Sequence, residues 1–177
     1  MAGILAAAIA AHAEDVKPGV YNVREGALSY SVVHKLHEVR GTTHTFEGKV
    51  VVAPDGTARV QVRARVATFD GGNSNRDEHM REVAHETEHP YCSVKGTASG
   101  IKLPLEGQQT IELAGTVELN GQRVSVAIPV ELIPSGRGLR ATFSFAVSLD
   151  ALKVERPALL FIRVDDRLTV EGDLLLN

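Results

Sequence analysis

Apolar and polar residues alternate with a period of two along most of the chain after residue 14. Successive side chains of a β-strand point to opposite faces, so this pattern predicts strands with one apolar and one polar face. The first clear pair of strands is separated by Pro54-Asp55-Gly56, a sequence that favours a tight turn. Its apolar positions are Phe46, Gly48, Val50 and Val52 before the turn and Ala58, Val60, Val62, Ala64 and Val66 after it.

The alternation continues through the second half of the chain. A second hairpin is predicted around Asn120-Gly121, because this dipeptide adopts the backbone conformations that a two-residue hairpin turn requires. The remaining predicted strands lie near residues 20–23, 28–36, 139–149, 160–164 and 168–176. The total is about eight strands, so the fold is predicted to be all-β and antiparallel, either as two stacked sheets or as a barrel. An eight-stranded barrel has an interior that side chains fill or that holds one small ligand.

The segment between residues 70 and 88 departs from the alternation. It begins with a Gly-Gly-Asn turn and continues with a charged stretch in which Met80, Val83 and Ala84 have helical spacing. Pro90 limits this helix, because the residue before a proline avoids the α-helical conformation. We therefore predict a short helix near residues 76–88 that caps one end of the barrel.

Composition indicates one globular domain with a substantial core. Of the 177 residues, 44% are hydrophobic and 23% are charged, and the net charge is −3. Arg59, Arg63 and Arg65 alternate with apolar residues, so we interpret them as the solvated outer face of a strand rather than a phosphate-binding groove. Aromatic residues make up 5% of the chain and Trp is absent, which disfavours stacking on nucleobases. No nucleic-acid partner is predicted.

The first residues have the pattern of an export signal. Residues 2–13 are apolar except for His12 and end in Ala11-His12-Ala13, a small-x-small pattern of the kind that signal peptidases cleave. The stretch is shorter than the roughly 20 apolar residues that cross a bilayer. We expect residues 1–13 to be a signal-peptide remnant and residues 14–177 to be the mature domain, which is periplasmic or secreted. The alternative interpretation is an Ala-rich helix packed on the domain.

One motif has the pattern of a catalytic metal site. His85-Glu86-Thr87-Glu88-His89 matches H-E-x-x-H, in which two histidines on one helical face bind Zn²⁺ and the glutamate polarises water. Pro90 follows directly and the surrounding segments are predicted strands, so we favour a solvated helix end. A zinc-dependent hydrolase using His85, Glu86 and His89 stays open as an alternative function.

Other catalytic and metal-binding patterns are not found. The sequence has no nucleophile-elbow motif of the G-x-S-x-G type, and Cys92 is its single cysteine. We predict no catalytic residues, no metal and no cofactor, and therefore that the protein is not an enzyme.

Several segments together resemble the YceI-like family, whose members are exported lipocalin-like barrels associated with polyisoprenoid binding. Residues 18–23 and 31–35 are similar to the first two strands of that family. The most specific segment is residues 69–80, where a Gly-Asn turn precedes Arg-Asp-Glu-His-Met, similar to the family's Arg-Asp-x-His-Leu. Residues 89–94 are similar to the strand that follows. The resemblance implies an antiparallel eight-stranded lipocalin-like β-barrel with a short capping helix.

The resemblance also implies a function. We expect an exported carrier of an apolar molecule such as a polyisoprenoid, an isoprenoid quinone or an amphiphilic lipid. The protein would act as a monomer or homodimer with transient membrane contact. A barrel with a filled core that serves as an interaction module is the other alternative.

The predicted ligand-binding residues are inward-facing strand residues and residues near the capping helix. Arg76, Asp77 and His79 either contact a polar head group or pin the helix to the barrel, and we favour pinning. The predicted set is Phe46, Val62, Val66, Phe69, Arg76, His79, Met80, Val117, Ile128, Phe143 and Phe145.

Overall fold

The computed structural model describes residues 16–34, 37–136, 138–156, 158–159 and 162–177. The predicted signal segment at residues 1–13 lies outside these ranges. A one-turn 3-10 helix (Val66–Thr68) and the helix α1 (Ser74–Val83) lie between the fourth and fifth strands. The strands are β1 (Gly19–His34), β2 (His37–Thr43), β3 (Phe46–Val52), β4 (Ala58–Arg65), β5 (Tyr91–Ala98), β6 (Gln109–Leu119), β7 (Gln122–Ser135), β8 (Gly138–Ser148), β9 (Ala158–Leu159), β10 (Ile162–Arg163) and β11 (Arg167–Leu176).

Strands at eight positions close into an antiparallel barrel within the described ranges. β1 is long enough to pair with β3 and then β2 along one edge, and with β11 along the other. Because β2 and β3 follow each other along the same edge of β1, they share one position in the barrel. The closing ladder runs from Val23 opposite Leu176 to Ser31 opposite Thr169. The predicted all-β, eight-stranded antiparallel barrel is confirmed.

The strand alternation determines which residues fill the interior. In β4, Ala58 and Ala64 are buried, whereas Arg59 and Arg63 are exposed. The same alternation of inward apolar and outward polar residues continues in β3, β6, β7 and β8. Burial of these inward side chains supplies the main favourable free energy of folding, at about 25 cal/mol per Å² of apolar surface.

The two ends of the barrel are covered by different kinds of segment. The helix end carries the β4–β5 connection with α1, the Asn120-Gly121 turn and the connection from β8 to β11. The loop end carries the β3–β4 turn and residues 99–108, which connect β5 to β6.

Hydrogen bonds fix the N-terminus of α1. The Asn73 Oδ1 accepts a hydrogen bond from the Arg76 N–H at 3.1 Å, which caps the first turn. The buried Asp77 carboxylate accepts a hydrogen bond from the Gly71 N–H at 3.0 Å. The Arg76 guanidinium donates to the Gly71 carbonyl at 3.2 Å. Arg76 and Asp77 therefore hold the helix against the loop that precedes it.

The C-terminus of α1 comes earlier than predicted. The predicted extension to residue 88 is wrong, because α1 ends at Val83 and residues 84–88 form turns. His85 takes a left-handed backbone conformation with φ of 48°, which the α-helix does not permit. The helical spacing of Met80, Val83 and Ala84 indicated a helix, but it did not reveal the contact that holds His85 in this conformation.

Candidate functional site

An enclosed cavity of about 70 Å³ lies inside the barrel toward the loop end. All 18 residues that line it are hydrophobic, and most are Val, Leu or Ala. Such a lining offers no hydrogen-bond partner to a polar group, so the cavity suits apolar contents. The lining residues are Val16, Val23, Val50, Val52, Ala58, Val60, Val62, Ile101, Leu105, Ile111, Leu113, Val130, Leu132, Leu139, Ala141, Phe143, Leu174 and Leu176.

Residues 99–108 cover this cavity at the loop end and are called the closing segment here. Ile101 and Leu105 are buried and both line the cavity. The Ile101 N–H donates to the Gly56 carbonyl at 3.0 Å, and the Leu105 N–H donates to the Val16 carbonyl at 3.3 Å. The closing segment is therefore attached to the barrel by two apolar side chains and two backbone hydrogen bonds that it donates.

Two residues outside the closing segment hold its first turn in place. They are Gly56 in the β3–β4 turn and Gln109 at the start of β6. Gly56 has a φ of 77°, and a Cβ at this position would lie 2.3 Å from the Ile101 carbonyl oxygen. Glycine is therefore needed for the close approach of the β3–β4 turn to the closing segment. The Gln109 side chain accepts a hydrogen bond from the Lys102 N–H at 3.0 Å and donates to the Gly100 carbonyl at 2.7 Å. This side chain holds the first turn of the segment in shape.

The helix end is filled by a separate apolar cluster. Val147, Leu149, Leu152, Val154 and Leu168 form its buried part, and Leu152 is 0% exposed. Val83 of α1 packs against this cluster. The enclosed cavity therefore lies at the opposite end of the barrel from the capping helix.

A polar hub at the helix end joins three connections. The buried Asn120 donates from its Nδ2 to the carbonyl oxygens of Leu152 at 3.2 Å and Lys153 at 2.8 Å. Its Oδ1 lies 2.6 Å from the Nδ1 of His85. Since the Asn120 amide oxygen can only accept, the His85 Nδ1 carries the proton in this arrangement. His85, Asn120 and Lys153 all have positive φ, between 48° and 52°, so the hub coincides with three left-handed residues.

The H-E-x-x-H motif belongs to this hub. Because His85 and His89 lie beyond the end of α1, they do not share a helical face. The His85 Nδ1 is engaged by Asn120, and the His89 ring lies against Gly121, where a Cβ would be 2.7 Å from the ring. Within the described ranges, no group of three or more His, Cys, Asp or Glu residues is placed to hold a metal ion. The geometry therefore departs from the one by which this motif binds zinc.

The predicted inward residues divide between cavity and packed core. Val62 and Phe143 line the cavity. Val117, Ile128 and Phe145 are buried in the main core cluster, the hydrophobic cluster that also contains all the buried cavity-lining residues, but they do not line the cavity themselves. Phe46 packs against the same cluster.

The predicted residues near the capping helix lie away from the cavity lining. Phe69 contacts the Tyr30 ring, with 5.6 Å between ring centroids, and Val66 is buried beside it in the 3-10 helix. Arg76 and His79 are exposed, and the His79 Nδ1 lies 3.3 Å from a Glu82 carboxylate oxygen. Met80 is half-buried.

The closing segment was not predicted from the sequence. Its signal was the short alternation of Ile101, Leu103 and Leu105 with polar residues and Pro104, which resembles a strand without the flanking length of one. Ile101 and Leu105 are the buried members, and Leu103 is half-buried and packs against the main cluster.

Cys92 lies on β5 and its thiol donates a weak hydrogen bond to the Ala64 carbonyl at 3.6 Å. Burial raises the pKa of the Cys92 thiol to about 11. The thiolate is the nucleophilic form, so this side chain is unreactive at neutral pH.

Among the described residues, none belongs to a helix that is both long and apolar enough to cross a bilayer.

Comparison with known proteins gives two curated relatives and several solved structures of the same fold. A UPF0312 protein of Azotobacter vinelandii is 29% identical in an alignment 136 residues long that covers 72% of this chain and 66% of that protein. A UPF0312 protein of Photorhabdus laumondii is 28% identical in an alignment 109 residues long that covers 58% of this chain and 55% of that protein. The matched regions thus span less than two thirds of either relative.

The structural matches are more distant in sequence. BcnA of Burkholderia cenocepacia has a TM-score of 0.70 at 16% identity, covering 85% of this chain and 95% of BcnA. A polyisoprenoid-binding domain from Saccharophagus degradans, implicated in plant cell wall breakdown, has a TM-score of 0.70 at 14% identity, covering 91% and 99%. A YceI protein of Campylobacter jejuni has a TM-score of 0.63 at 12% identity, covering 80% and 85%. The sequence matches the YceI-like domain over residues 21–175, and the chain therefore belongs to the YceI-like family.

Proposed function

We propose that the protein binds an apolar ligand of the isoprenoid or lipid class inside the barrel, at the loop end. The observation that carries this proposal is the enclosed cavity with its wholly hydrophobic lining. A structure with the same fold is a polyisoprenoid-binding domain, which supports a ligand of this class.

The size of the cavity sets a condition on binding. At about 70 Å³ it is well below the roughly 150 Å³ that accommodates benzene in a protein interior. A longer ligand therefore requires Ile101 and Leu105 to leave the interior together with the closing segment. Exposing these two side chains costs about 1.5–3 kcal/mol each, whereas a ligand tail that buries about 400 Å² of apolar surface gains about 10 kcal/mol. The free energy gained by burying the ligand tail therefore exceeds the cost of exposing Ile101 and Leu105.

A matched pair of alanine-to-phenylalanine substitutions on β8 tests the site. Ala141 lines the cavity, and Ala146 on the same strand faces solvent. A phenylalanine side chain in place of Ala141 exceeds the available space. We therefore expect Ala141→Phe to lose its binding of an apolar fluorescent probe such as N-phenylnaphthylamine. Ala146→Phe adds the same group outside and should leave probe binding unchanged.

The nature of the ligand is tested separately. Solvent extraction of protein purified from its native host, followed by mass spectrometry, should yield an isoprenoid or other lipid in molar proportion to the protein. If Ala141→Phe and Ala146→Phe bind the probe equally, and circular dichroism shows that both are folded, the ligand site lies elsewhere. Absence of any extractable or added apolar ligand would contradict the proposal altogether.

We further infer that the protein is exported and carries its ligand in the periplasm or outside the cell. The small-x-small pattern at residues 11–13 supports this location. Intact mass of the protein recovered from a periplasmic fraction should correspond to a chain that begins at Glu14. Retention of residues 1–13 in a cytoplasmic fraction would contradict export.

A further inference from the structure

The outer face of β3, β4 and β5 concentrates positive charge. The strand register brings together Lys49, Arg59, Arg63, Arg65 and Lys95, all exposed, with Glu47 as the acidic residue among the outward positions of these strands. We call this surface the basic face. Five cations against one carboxylate give it a net charge of +4, which leaves −7 for the rest of a chain whose total is −3. The net charge is therefore distributed unevenly over the chain, although most of its Lys and Arg residues lie outside the basic face.

Most of this charge is free of local compensation. Arg63 donates to Glu47 at 2.7 Å. Lys49, Arg59 and Lys95 form no ion pair with any carboxylate in the described part of the chain. The cations therefore remain available to an external anionic partner.

Apolar groups interrupt and border the basic face. Tyr91 is 38% exposed and has the guanidinium carbons of Arg63 and Arg65 at 4.9 and 5.4 Å from its ring centroid. Val51 is 41% exposed and pairs across the strands with Val20, which is 56% exposed. The combination of cations, an exposed tyrosine and a pair of exposed valines is the composition of a protein surface that meets a lipid headgroup layer.

The position of these groups connects them to the cavity. Val51 lies one residue before the end of β3, and Arg59 lies one residue after the start of β4. Both therefore flank the β3–β4 turn, whose Gly56 contacts the closing segment through Ile101. The apolar edge of the basic face is the edge at the loop end.

We propose that the basic face docks on a membrane surface that contains anionic phospholipid. Lys49, Arg59 and Lys95 would lie among the headgroups while Val20 and Val51 enter the layer, which would bring the loop end to the bilayer. The purpose of such docking, collection or release of an apolar ligand, rests on the proposed function. The docking itself rests on charge and exposure alone.

Two other anionic partners fit the observations less well. A nucleic-acid backbone would use the cations but would gain nothing from Val20 and Val51. A second copy of this chain would, in the two-fold arrangement commonest among dimers, place one basic face against the other, and the like charges would repel each other. These partners are distinguished by the experiment.

Vesicle co-sedimentation of the purified full chain, without added ligand, tests the docking. We expect binding to vesicles with about a third phosphatidylglycerol, and little binding to pure phosphatidylcholine, because each Lys or Arg near an anionic surface strengthens binding about fivefold. Lys49→Gln/Arg59→Gln/Lys95→Gln should weaken binding at least tenfold. The control Arg40→Gln/Arg140→Gln/Arg167→Gln removes the same charge from β2, β8 and β11 and should bind nearly as the unaltered protein does.

A second variant separates the apolar contribution. Val20→Thr/Val51→Thr keeps β-branched residues at both positions and should remove the part of the binding that survives about 0.5 M salt, where the charges are screened. Equal loss in the two charge variants would overturn the basic face as the docking surface. So would tighter binding to duplex DNA than to vesicles, or a dimer in sedimentation velocity that the basic-face substitutions abolish. Probe binding in solution is measured separately, so failure of docking and failure of ligand binding are distinguishable.

Discussion

The two ends of the barrel are built on opposite principles. At the helix end, a filled apolar cluster around Leu152 lies beneath a hub in which Asn120 satisfies two carbonyl groups and a histidine. At the loop end, the interior contains a cavity, and the closing segment is attached mainly through Ile101 and Leu105. Polar networks that are fully satisfied specify one arrangement, whereas apolar contacts can be exchanged for other apolar contacts. The difference indicates that the loop end is the one that can open.

The largest expected effect compares equivalent truncations at the two ends. Leu152→Ala should lower the free energy of unfolding by about 4 kcal/mol, because the side chain is fully buried in a filled cluster. Leu105→Ala should cost about 2 kcal/mol, because this side chain already borders the cavity and loses fewer contacts. Urea denaturation measures both values. Probe uptake should rise for Leu105→Ala alone, and equal costs at the two ends would contradict the contrast.

The second prediction concerns the hub. Asn120→Ala should cost about 3 kcal/mol, because it leaves the carbonyl groups of Leu152 and Lys153 without their partner and places Ala at a φ of 52°. Asn120→Gly removes the same hydrogen bonds but accepts this φ, and it should cost about 1 kcal/mol less. Denaturation of the two variants separates the hydrogen bonds from the backbone strain. If both variants match the unaltered protein, the hub contributes no stability.

The third prediction loosens the loop end directly. Gly56→Ala should cost about 2 kcal/mol, because a Cβ at this position clashes with the Ile101 carbonyl and φ is 77°. Hydrogen exchange measured by mass spectrometry should accelerate in residues 99–108 and remain unchanged at α1. Gly107→Ala is a suitable control, since a Cβ there would meet nothing within 4 Å. Acceleration at both ends would show that they open together.

The smallest effect uses Cys92, the single cysteine, as a reporter. The raised pKa means that the folded protein resists ionisation of this thiol more than the unfolded chain does. The contribution of this thiol to stability should therefore be present in full below a pH of about 9 and be lost as the pH rises through about 11. The pH dependence should be flatter in Cys92→Ala, as measured by urea denaturation.

The same thiol distinguishes local from global opening. Labelling of Cys92 at neutral pH should be slow in the folded protein and should not accelerate in Gly56→Ala beyond what its loss of global stability predicts. Faster labelling would mean that the loop end cannot open without disturbing β5.

Much of the fold could be predicted because strand alternation records burial directly. The inward and outward residues of β3, β4, β6, β7 and β8 follow the parity of the sequence, and Asn120-Gly121 forms the predicted turn. The same alternation could not show that β2 and β3 share one position. That arrangement depends on the long-range pairing of β1 with three strands.

The site was harder to predict than the fold. The alternation of apolar and polar residues identifies Val62 and Phe143 as inward residues. It cannot tell which inward residues line a cavity and which pack against one another. Phe145, two residues after Phe143, is buried in the packed core. The predicted helix and the H-E-x-x-H motif lie at the helix end, whereas the cavity is closed by a segment that has neither a helical nor a complete strand pattern. The basic face could not be predicted either. Lys49 and Lys95 lie beside Arg59, Arg63 and Arg65 because of the register of β3, β4 and β5, which the sequence pattern does not give.

The pairing of β1 with β11 has a consequence for how the chain reaches its destination. Val23 lies opposite Leu176, so closure joins residues separated by almost the whole length of the sequence. Contacts of such high sequence separation form slowly, and this one cannot form until the last strand has left the ribosome. If the chain is exported unfolded, this late step keeps the precursor open for translocation. We expect the barrel to close only after the final strand has crossed the membrane.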